Sequence, residues 1–231
     1  MLVYGKNVAR EILKSQTFIK KIYIYEDFND EEILNLIKER EVLCNKLSKE
    51  KVDLLVKCPS QGIVLDINEY NLKLFDDVKE DDDANFLVLL DHIEDTHNFG
   101  AIIRTCECAG VDYIIIPNKR SASINATVMK TSAGALINTN IVEVANINTT
   151  IDKLKKLGYW VVGTDSNGED YTKIDYSGKI ALVIGSEGKG LKQTTKNSCD
   201  FIASIPLKGK VNSLNASVAT GIMIYEVLKT R

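Results

Sequence analysis

Residues that typically build metal centres and disulfide frameworks are scarce in this 231-residue sequence. There are five cysteines, an odd number, and no two of them form a CxxC pair. The two histidines, His92 and His97, fall in one predicted loop, which is too few for a histidine-rich metal centre. Unpaired cysteines of this kind are typical of a reducing compartment. We therefore expect a cytoplasmic protein that holds no metal.

Long hydrophobic runs are absent as well. No apolar run approaches the roughly 20 residues that a membrane helix needs, and residues 1–16 lack the apolar core of a signal peptide. Apolar residues make up 45% and charged residues 26% of the sequence, as in an ordinary soluble globular protein. We expect one large or two small domains and no membrane partner.

The glycine pattern of a dinucleotide-binding fold is also missing. No GxGxxG follows the first predicted strand of the C-terminal part. A nucleotide-dependent oxidoreductase would explain alternating helices and strands together with glycine loops, but it needs that fingerprint. It is an alternative that tight NAD binding would support.

An acidic run divides the sequence into two parts. Residues 1–70 predict a small α/β unit, with helices near 7–14, 31–40 and 48–57 and strands near 19–25, 42–47 and 61–67. Residues 71–85 contain DDVKEDDD and are predicted to form a solvated linker. In residues 86–231, strands are predicted near 86–91, 112–117, 140–145, 159–164, 180–185 and 201–206. Helices between most of these strands predict an α/β fold with a parallel sheet covered on both faces.

Charge differs between the two parts. Up to Asn85 there are 13 Lys and Arg against 18 Asp and Glu, and from Phe86 onward there are 16 against 14. The second part places its cations beside polar loops: Lys119, Arg120, Lys130, Lys189, Lys192, Lys208 and Lys210. Such a distribution suits phosphate binding, although lysines also simply solvate loops.

Three segments place polar residues next to buried elements. In residues 85–110 a strand and a polar loop precede a helix predicted from Asn98, its N-cap, to Ala109, with Arg104 among apolar neighbours. Residues 182–191, LVIGSEGKGL, put three glycines and Glu187 after a strand. In residues 205–221, Ser213 is the predicted N-cap of an apolar helix from Leu214 to Leu228, and Asn215 lies on its first turn. Taken singly, each has a plain explanation: a satisfied cap, a flexible loop or a snorkelling arginine.

Together and in this order, the segments resemble the SpoU (TrmH) family of RNA 2′-O-ribose methyltransferases in the SPOUT superfamily. The matching motifs are NxGxxxRT at 98–105, LVIGSEGKGL at 182–191 and IPLKGKVNSLNASVATG at 205–221. KRSASINATVMKTSAGA at 119–135 is similar to the subgroup that modifies a guanosine of 23S ribosomal RNA. One departure is Ser60-Gln61-Gly62, where many relatives carry HQG.

The resemblance implies a definite architecture. Residues 1–70 would be an L30e-like RNA substrate-binding domain, and residues 86–231 a SPOUT methyltransferase domain with a deep trefoil knot. It also implies a homodimer. Such threading is nearly absent elsewhere, and no periodicity in a sequence reveals it.

The resemblance further implies the cofactor and the site. S-adenosylmethionine would be bound by knot residues, namely Gly185, Glu187, Gly188, Ile205, Leu214 and Asn215. The implied catalytic set is Asn98, Arg104, Glu187, Ser213 and Asn215. RNA binding is expected from Arg104, Lys119, Arg120, Lys208 and Lys210.

Chemistry limits the roles within this set. Methyl transfer requires alignment of the ribose oxygen with the methyl group and loss of the hydroxyl proton. The guanidinium of arginine has a pKa above about 12 and is a poor base catalyst. Arg104 is therefore expected to bind phosphate and stabilise the developing alkoxide. Glu187 is expected to orient rather than to act as the base. A tRNA 2′-O-methyltransferase of the same family and a non-catalytic RNA-binding protein are the alternatives.

Overall fold

The computed structural model describes residues 1–186, 188 and 190–231. These residues form two compact units. The first comprises Met1–Asn71 and Ile124–Asn138, and the second comprises Leu72–Ser123 and Thr139–Arg231.

The helices and strands alternate along most of the chain. In order they are β1 (Leu2–Tyr4), α1 (Lys6–Lys14), β2 (Ile19–Tyr25), α2 (Glu31–Glu39), β3 (Cys44–Leu47), α3 (Lys49–Val56), β4 (Ile63–Ile67), α4 (Phe75–Glu80), β5 (Phe86–Leu90), α5 (Thr96–Cys108), β6 (Tyr113–Pro117), α6 (Ala126–Thr131), β7 (Ile141–Val144), α7 (Ile147–Lys156), β8 (Trp160–Asp170), β9 (Ile180–Ile184), α8 (Gln193–Ser198), β10 (Phe201–Ser204) and α9 (Ala216–Val227). Among the described residues, no helix is both long and apolar enough to cross a membrane.

The first unit is built on a four-stranded sheet in the order β1-β4-β2-β3. β4 is antiparallel to both β1 and β2, whereas β3 is parallel to β2. Alternate residues of β2 are buried, Ile22 and Ile24 among them, because successive side chains of a strand point to opposite faces. β1 was not predicted, because three residues are too few to show a period.

A segment from later in the chain completes the first unit. The sequence predicts one domain over 86–231, but residues 124–138 cluster with the first unit. Val128, Met129 and Leu136 in this segment are fully buried. Gly134 has φ +96°, and a Cβ there would lie 2.8 Å from Cβ of Glu11 on α1. The segment therefore packs on α1 and β1 through a close backbone approach that only glycine permits.

The second unit contains a six-stranded sheet in the order β10-β8-β9-β5-β6-β7. All five pairings are parallel. Every residue of β5, β6 and β9 is buried, as in a parallel sheet covered on both faces. The predicted α/β class with a parallel sheet is confirmed, whereas the trefoil knot stays a prediction.

β8 has an irregular edge towards β10. Ile202 of β10 pairs with Gly163, but the next residue, Ala203, pairs with Glu169. Residues 164–168 therefore loop out of the pairing. This loop contributes to the cavity described below.

The acidic run after the first unit contains a helix, which differs from the solvated linker predicted over 71–85. α4 lies within this run, and its Val78 is buried in the core of the second unit. The Tyr113 hydroxyl donates to Asp81 at 2.9 Å. The sequence did not predict this helix, because a strongly acidic run is typical of a solvated linker. Asp76 and Asp77 nevertheless occupy the first turn of the helix, where acidic side chains are stabilising.

Candidate active site

Two helix N-termini bring the first and third sequence motifs together. α5 begins at Thr96 with Asp95 as its N-cap, and the Asp95 carboxylate accepts a hydrogen bond from the Asn98 backbone N–H at 2.7 Å. The predicted N-cap, Asn98, is therefore wrong by three residues. Its side chain does not cap the helix and has other hydrogen-bond partners, Asn215 among them.

The predicted N-cap Ser213 is wrong in the same way. α9 is capped by Asn215, whose Oδ1 accepts from the backbone N–H groups of Ser217 at 2.9 Å and Val218 at 3.3 Å. An asparagine with its side-chain oxygen at the cap satisfies donors that the first turn leaves unpaired. Ser213 remains in the loop before the helix.

The amide nitrogen of Asn215 reaches the first motif. Asn215 Nδ2 donates to Asn98 Oδ1 at 2.9 Å, across 117 residues of sequence. Capping holds Oδ1 of Asn215 towards α9, so its Nδ2 is directed to Asn98. α5 and α9 pack side by side, and a Cβ at Gly221 would lie 3.8 Å from Cγ2 of Thr105. Two predicted catalytic residues are thus in direct contact.

Arg104 lies on the exposed side of α5. Its apolar neighbours Ile102, Ile103 and Cys106 are fully buried, whereas Arg104 itself is exposed. No described residue forms an ion pair with its guanidinium. An exposed guanidinium of this kind can bind an anionic ligand.

A cavity of about 240 Å³ lies beside the N-terminus of α9 in the second unit. Four stretches of chain line it: Thr164, Asp165 and Ser166; Ser186, Gly188 and Gly190; Ala203, Ile205 and Leu207; and Asn212, Ser213, Leu214, Ala216 and Ala219. Gly188, Ile205, Ser213 and Leu214 were predicted from the sequence. Glu187 and the neighbouring Lys189 lie outside the described residues.

Gly185, which was predicted to bind the cofactor, is not among the lining residues of the cavity but packs against Gly190 of the lining. It is buried, and a Cβ at this position would lie 2.3 Å from the backbone carbon of Gly190. The loop closes on itself, because the Gly190 N–H donates to the Ser186 carbonyl at 2.9 Å. Glycine at 185 is therefore needed for the loop to fold back, rather than as part of the lining.

Sequence reasoning missed the part of the wall formed by Thr164, Asp165 and Ser166. A signal was present, since DSNG at 165–168 is typical of a chain reversal rather than of a strand interior. The strand predicted near 159–164 ended where the loop begins.

The four other predicted RNA-binding cations, Lys119, Arg120, Lys208 and Lys210, are all exposed in the second unit. Lys130 is different, because it belongs to the first unit and is half-buried. Its Nζ donates to Gln61 Oε1 at 3.1 Å and lies 5.5 Å from the centre of the Tyr4 ring. Desolvation lowers the pKa of Lys130. It is a packing residue rather than a member of a surface cluster.

Ser60, the first residue of the Ser60-Gln61-Gly62 triplet, is fully buried. Its hydroxyl donates to Asp53 Oδ1 at 2.5 Å and accepts from the Gly62 N–H at 3.1 Å. The hydroxyl and then the backbone N–H of Ser60 lower the pKa of Asp53. The departure from HQG is therefore accommodated inside the first unit, and Gln61 is the exposed member of the triplet.

The two parts of the chain match two known kinds of domain. Residues 2–73 match RNA 2′-O ribose methyltransferase substrate binding, and residues 85–225 match the SpoU rRNA methylase family. The fold and motifs thus define an RNA methyltransferase with its own substrate-binding domain. The chain belongs to the SpoU rRNA methylase family.

Relatives are similar over their whole length. A protein of Staphylococcus haemolyticus named as a TrmH family tRNA/rRNA methyltransferase is 38% identical over 239 residues, which cover 100% of this chain and 96% of the relative. The corresponding protein of Staphylococcus aureus is 39% identical over 238 residues, with the same coverage.

Solved structures share the fold. An AdoMet-bound rRNA methyltransferase from Sinorhizobium meliloti has a TM-score of 0.83 at 26% identity, covering 99% of this chain and 86% of that one. The SpoU methyltransferase AviRb from Streptomyces viridochromogenes, in complex with AdoMet, has a TM-score of 0.84 at 22% identity, covering 99% and 89%.

Proposed function

We propose that this protein transfers a methyl group from S-adenosylmethionine to a ribose 2′-hydroxyl of RNA. The observation that carries the proposal is the hydrogen bond between Asn215 and Asn98. It joins the first and third motifs next to the cavity, since Leu214 of the lining directly precedes Asn215. Two distant parts of the sequence converge on one site, which a pair of ordinary helix caps would not require.

The cavity fits this cofactor in its chemistry. Its walls are glycines, small polar residues and apolar side chains, so a flat adenine can meet both apolar surface and backbone polar groups. Gly188, Ile205 and Leu214 would hold the adenosine part. When bound, the cofactor supplies an electrophilic methyl group attached to a sulfonium. The structural neighbours from Sinorhizobium and Streptomyces were solved with the same compound.

Arg104 is assigned to the RNA side of the reaction. Its exposed guanidinium can hold a phosphate through paired hydrogen bonds and stabilise the charge that develops on the ribose oxygen. A guanidinium is too weak an acid to give up its proton readily, so Arg104 is not the base. A phosphate oxygen or a water molecule receives the hydroxyl proton.

The remaining predicted catalytic residues orient the reacting groups. The amides of Asn98 and Asn215 hold each other in one arrangement, and Ser213 places a hydroxyl in the cavity wall. Glu187 enters the proposal on sequence grounds, as an orienting acceptor. Alignment of this kind supplies up to roughly 7–11 kcal/mol in the best-studied systems.

The substrate we propose is a guanosine of 23S ribosomal RNA. The support is the likeness of residues 119–135 to the subgroup with that activity. A transfer RNA is the alternative, and the names of the staphylococcal relatives mention both RNA classes. A looped or single-stranded site is favoured, because an A-form helix hides the base edges that distinguish a guanosine.

A homodimer is part of the proposal. α9 is apolar on nearly all sides, and Val218 and Tyr225 on it are 51% and 54% exposed. Leu214, just before the helix, is also exposed at 38%. Apolar residues clustered in this way are typical of a surface that a partner covers.

The test is nucleoside mass spectrometry of RNA from a host with and without the gene. Loss of one 2′-O-methylated nucleoside, mapped to 23S ribosomal RNA, is the expected result, and mapping to transfer RNA would select the alternative. The purified protein should then restore that nucleoside on RNA from the deletion strain when S-adenosylmethionine is added. RNA binding without restoration would instead identify a non-catalytic RNA-binding protein.

A further inference from the structure

Asp165 occupies an unusual place in the second unit. It follows the point where β8 leaves its pairing with β10, at the start of the loop over residues 164–168. Asp165 lines the cavity together with Thr164 and Ser166 of the same loop. Among the described residues of that wall, Asp165 is the only charged one.

The carboxylate of Asp165 is held in position by two neighbours. Oδ1 accepts a hydrogen bond from the Asn167 N–H at 3.1 Å, and Oδ2 lies 2.5 Å from Nζ of Lys196 on α8. The Asp165 side chain is only 10% exposed and that of Lys196 24%. Oδ2 also lies 3.4 Å from where a Cβ of Gly190 would be, so the carboxylate borders the glycine loop. An acceptor fixed on both oxygens is prepared for a ligand before the ligand arrives.

We propose that Asp165 accepts hydrogen bonds from the two ribose hydroxyls of the bound cofactor and so selects an adenosine ligand by its sugar. The inference rests on the proposed use of S-adenosylmethionine. Each carboxylate oxygen retains a lone pair beside its existing partner, and a vicinal diol offers two donors at matching spacing.

The ion pair with Lys196 decides which part of the ligand meets Asp165. Because the ammonium balances the carboxylate, the pair attracts a further cation only weakly. Neutral hydroxyl donors remain well suited, since hydrogen bonds to an ionised acceptor are stronger than those between neutral groups. The diol is therefore favoured over the α-ammonium group or the sulfonium of the cofactor.

The experiment is calorimetry of the full-length protein with S-adenosylhomocysteine and with its 2′-deoxy and 3′-deoxy analogues. The wild type should bind each analogue roughly tenfold or more weakly than the parent compound. In Asp165→Asn the parent compound should weaken by a similar factor, and the difference between parent and analogues should largely disappear. Asp170→Asn, at the far end of β8, where the side chain accepts from the Thr172 N–H outside the cavity lining, is the matched control and should keep the wild-type pattern.

A second ligand separates sugar from amino-acid recognition. 5′-Methylthioadenosine has the ribose but no amino-acid group, so Asp165→Asn should weaken it as much as it weakens S-adenosylhomocysteine. Unchanged binding of this ligand would overturn the inference, because Asp165 would then contact the amino acid. Equal affinity of wild type for the ribose and deoxyribose compounds would also overturn it, and that result needs no variant to fold.

The outcomes also separate this inference from the proposed function. Binding of S-adenosylhomocysteine without ribose selectivity contradicts the role of Asp165 alone. Absence of any binding by the wild type, together with absence of methyl transfer, contradicts the proposed function as well.

Discussion

At the scale of single residues, the contrast between Arg104 and its neighbours on α5 is sharp. Ile103 and Cys106 are fully buried, whereas the Arg104 guanidinium is exposed and forms no ion pair with a described residue. We expect Arg104→Lys to lower kcat by about 10²-fold, since lysine lacks the planar fork that binds a phosphate through two hydrogen bonds. Single-turnover methyl transfer to RNA measures this change.

Arg231→Lys is the matched control for that prediction. Arg231 also lies in the second unit, where it donates to the carbonyls of Asn85 and Gly178. This variant should keep the wild-type rate. If Arg104→Lys retains most of kcat, a guanidinium is not needed. If the variant instead binds S-adenosylmethionine more weakly, Arg104 acts on the cofactor and not on the RNA.

The cysteines are expected to differ in reactivity because they differ in burial. Burial raises the pKa of Cys199 to about 12 and raises the pKa of the fully buried Cys106 as well. Neither is a thiolate at pH 8, whereas Cys108, two residues from Cys106, is exposed. We expect iodoacetamide at pH 8 to label Cys108 at least tenfold faster than Cys106 or Cys199, as read by peptide mass spectrometry. Equal labelling in urea is the control, and rapid labelling of native Cys106 would contradict its burial.

The N-cap residues of α5 and α9 could not be predicted correctly from the sequence. The pattern predicts Asn98 and Ser213 as caps, but Asp95 and Asn215 have that role. Each site offers several residues able to cap within a few positions. Tertiary packing of α5 against α9 selects among them, and this contact is invisible in either segment alone.

At the scale of elements, the side chain of Asn215 caps the start of α9 and is also the one that we propose takes part in the reaction. Asn215→Asp keeps the oxygen that caps the helix but removes the Nδ2 donor to Asn98. We expect the free energy of unfolding to stay within about 1 kcal/mol of wild type, while methyl transfer falls at least tenfold. Urea denaturation and single-turnover kinetics measure the two quantities.

Two further variants interpret that result. Asn146 caps α7 by accepting from Thr149, so Asn146→Asp is the same change at a cap outside the site and should leave activity unchanged. Asn215→Ala removes the cap too and should cost about 0.5–2 kcal/mol of stability. Wild-type rates in Asn215→Asp would show that the contact between the two asparagines serves the fold alone.

α4, which the acidic sequence did not reveal, is expected to contribute to the stability of the second unit. Val78 on it is buried in the core of the second unit, whereas Glu80 is exposed. We expect Val78→Ala to cost about 1–3 kcal/mol because it leaves a cavity and removes apolar contact, and Glu80→Ala to cost almost nothing. Thermal unfolding compares them, and equal melting temperatures would mean that this stretch behaves as the solvated linker that the sequence predicts.

The strands of the second unit were the most predictable elements. β5, β6 and β9 are continuous apolar runs, because a parallel sheet buries both faces, and a run of that kind is visible in any sequence. β1 and α4 were missed, since one is three residues long and the other is largely charged. A sequence pattern reveals an element when the element is long enough to show a period and when its composition differs clearly from that of a loop.

At the scale of the whole molecule, the division of the chain is not contiguous. Residues 1–71 need residues 124–138 to complete their unit. A fragment of residues 1–73 would lose the burial of Val128, Met129 and Leu136, worth roughly 1.5–3 kcal/mol for each side chain. We expect that fragment to be largely unfolded, since so small a domain has little stability to lose.

Hydrogen exchange of β2 and β4 amides in the fragment and in the full chain measures the difference. Joining residues 124–138 to the fragment through a flexible linker should restore protection. Equal protection without that segment would show that it contributes little to the stability of the first unit.

This arrangement, like the predicted knot, depends on contacts between distant residues. The parallel sheet and the order of its strands follow from local patterns and general rules of connection. The partner of a segment such as 124–138 does not, because its apolar residues would suit either unit. The knot and the catalytic roles are implied by resemblance alone, whereas the contact of Asn98 with Asn215 is observed in the structure.

The discontinuous first unit also has a consequence for synthesis on the ribosome. Its first 71 residues leave the exit tunnel well before the segment that completes them. At about 5–20 residues per second, residues 72–138 require roughly another 3–13 s. During that interval the surface of α1 and β1 that Val128, Met129 and Leu136 will cover is open. A nascent chain in this state is a natural client for a chaperone that binds exposed apolar surface near the tunnel, and slowing translation between residues 72 and 138 should lengthen the association.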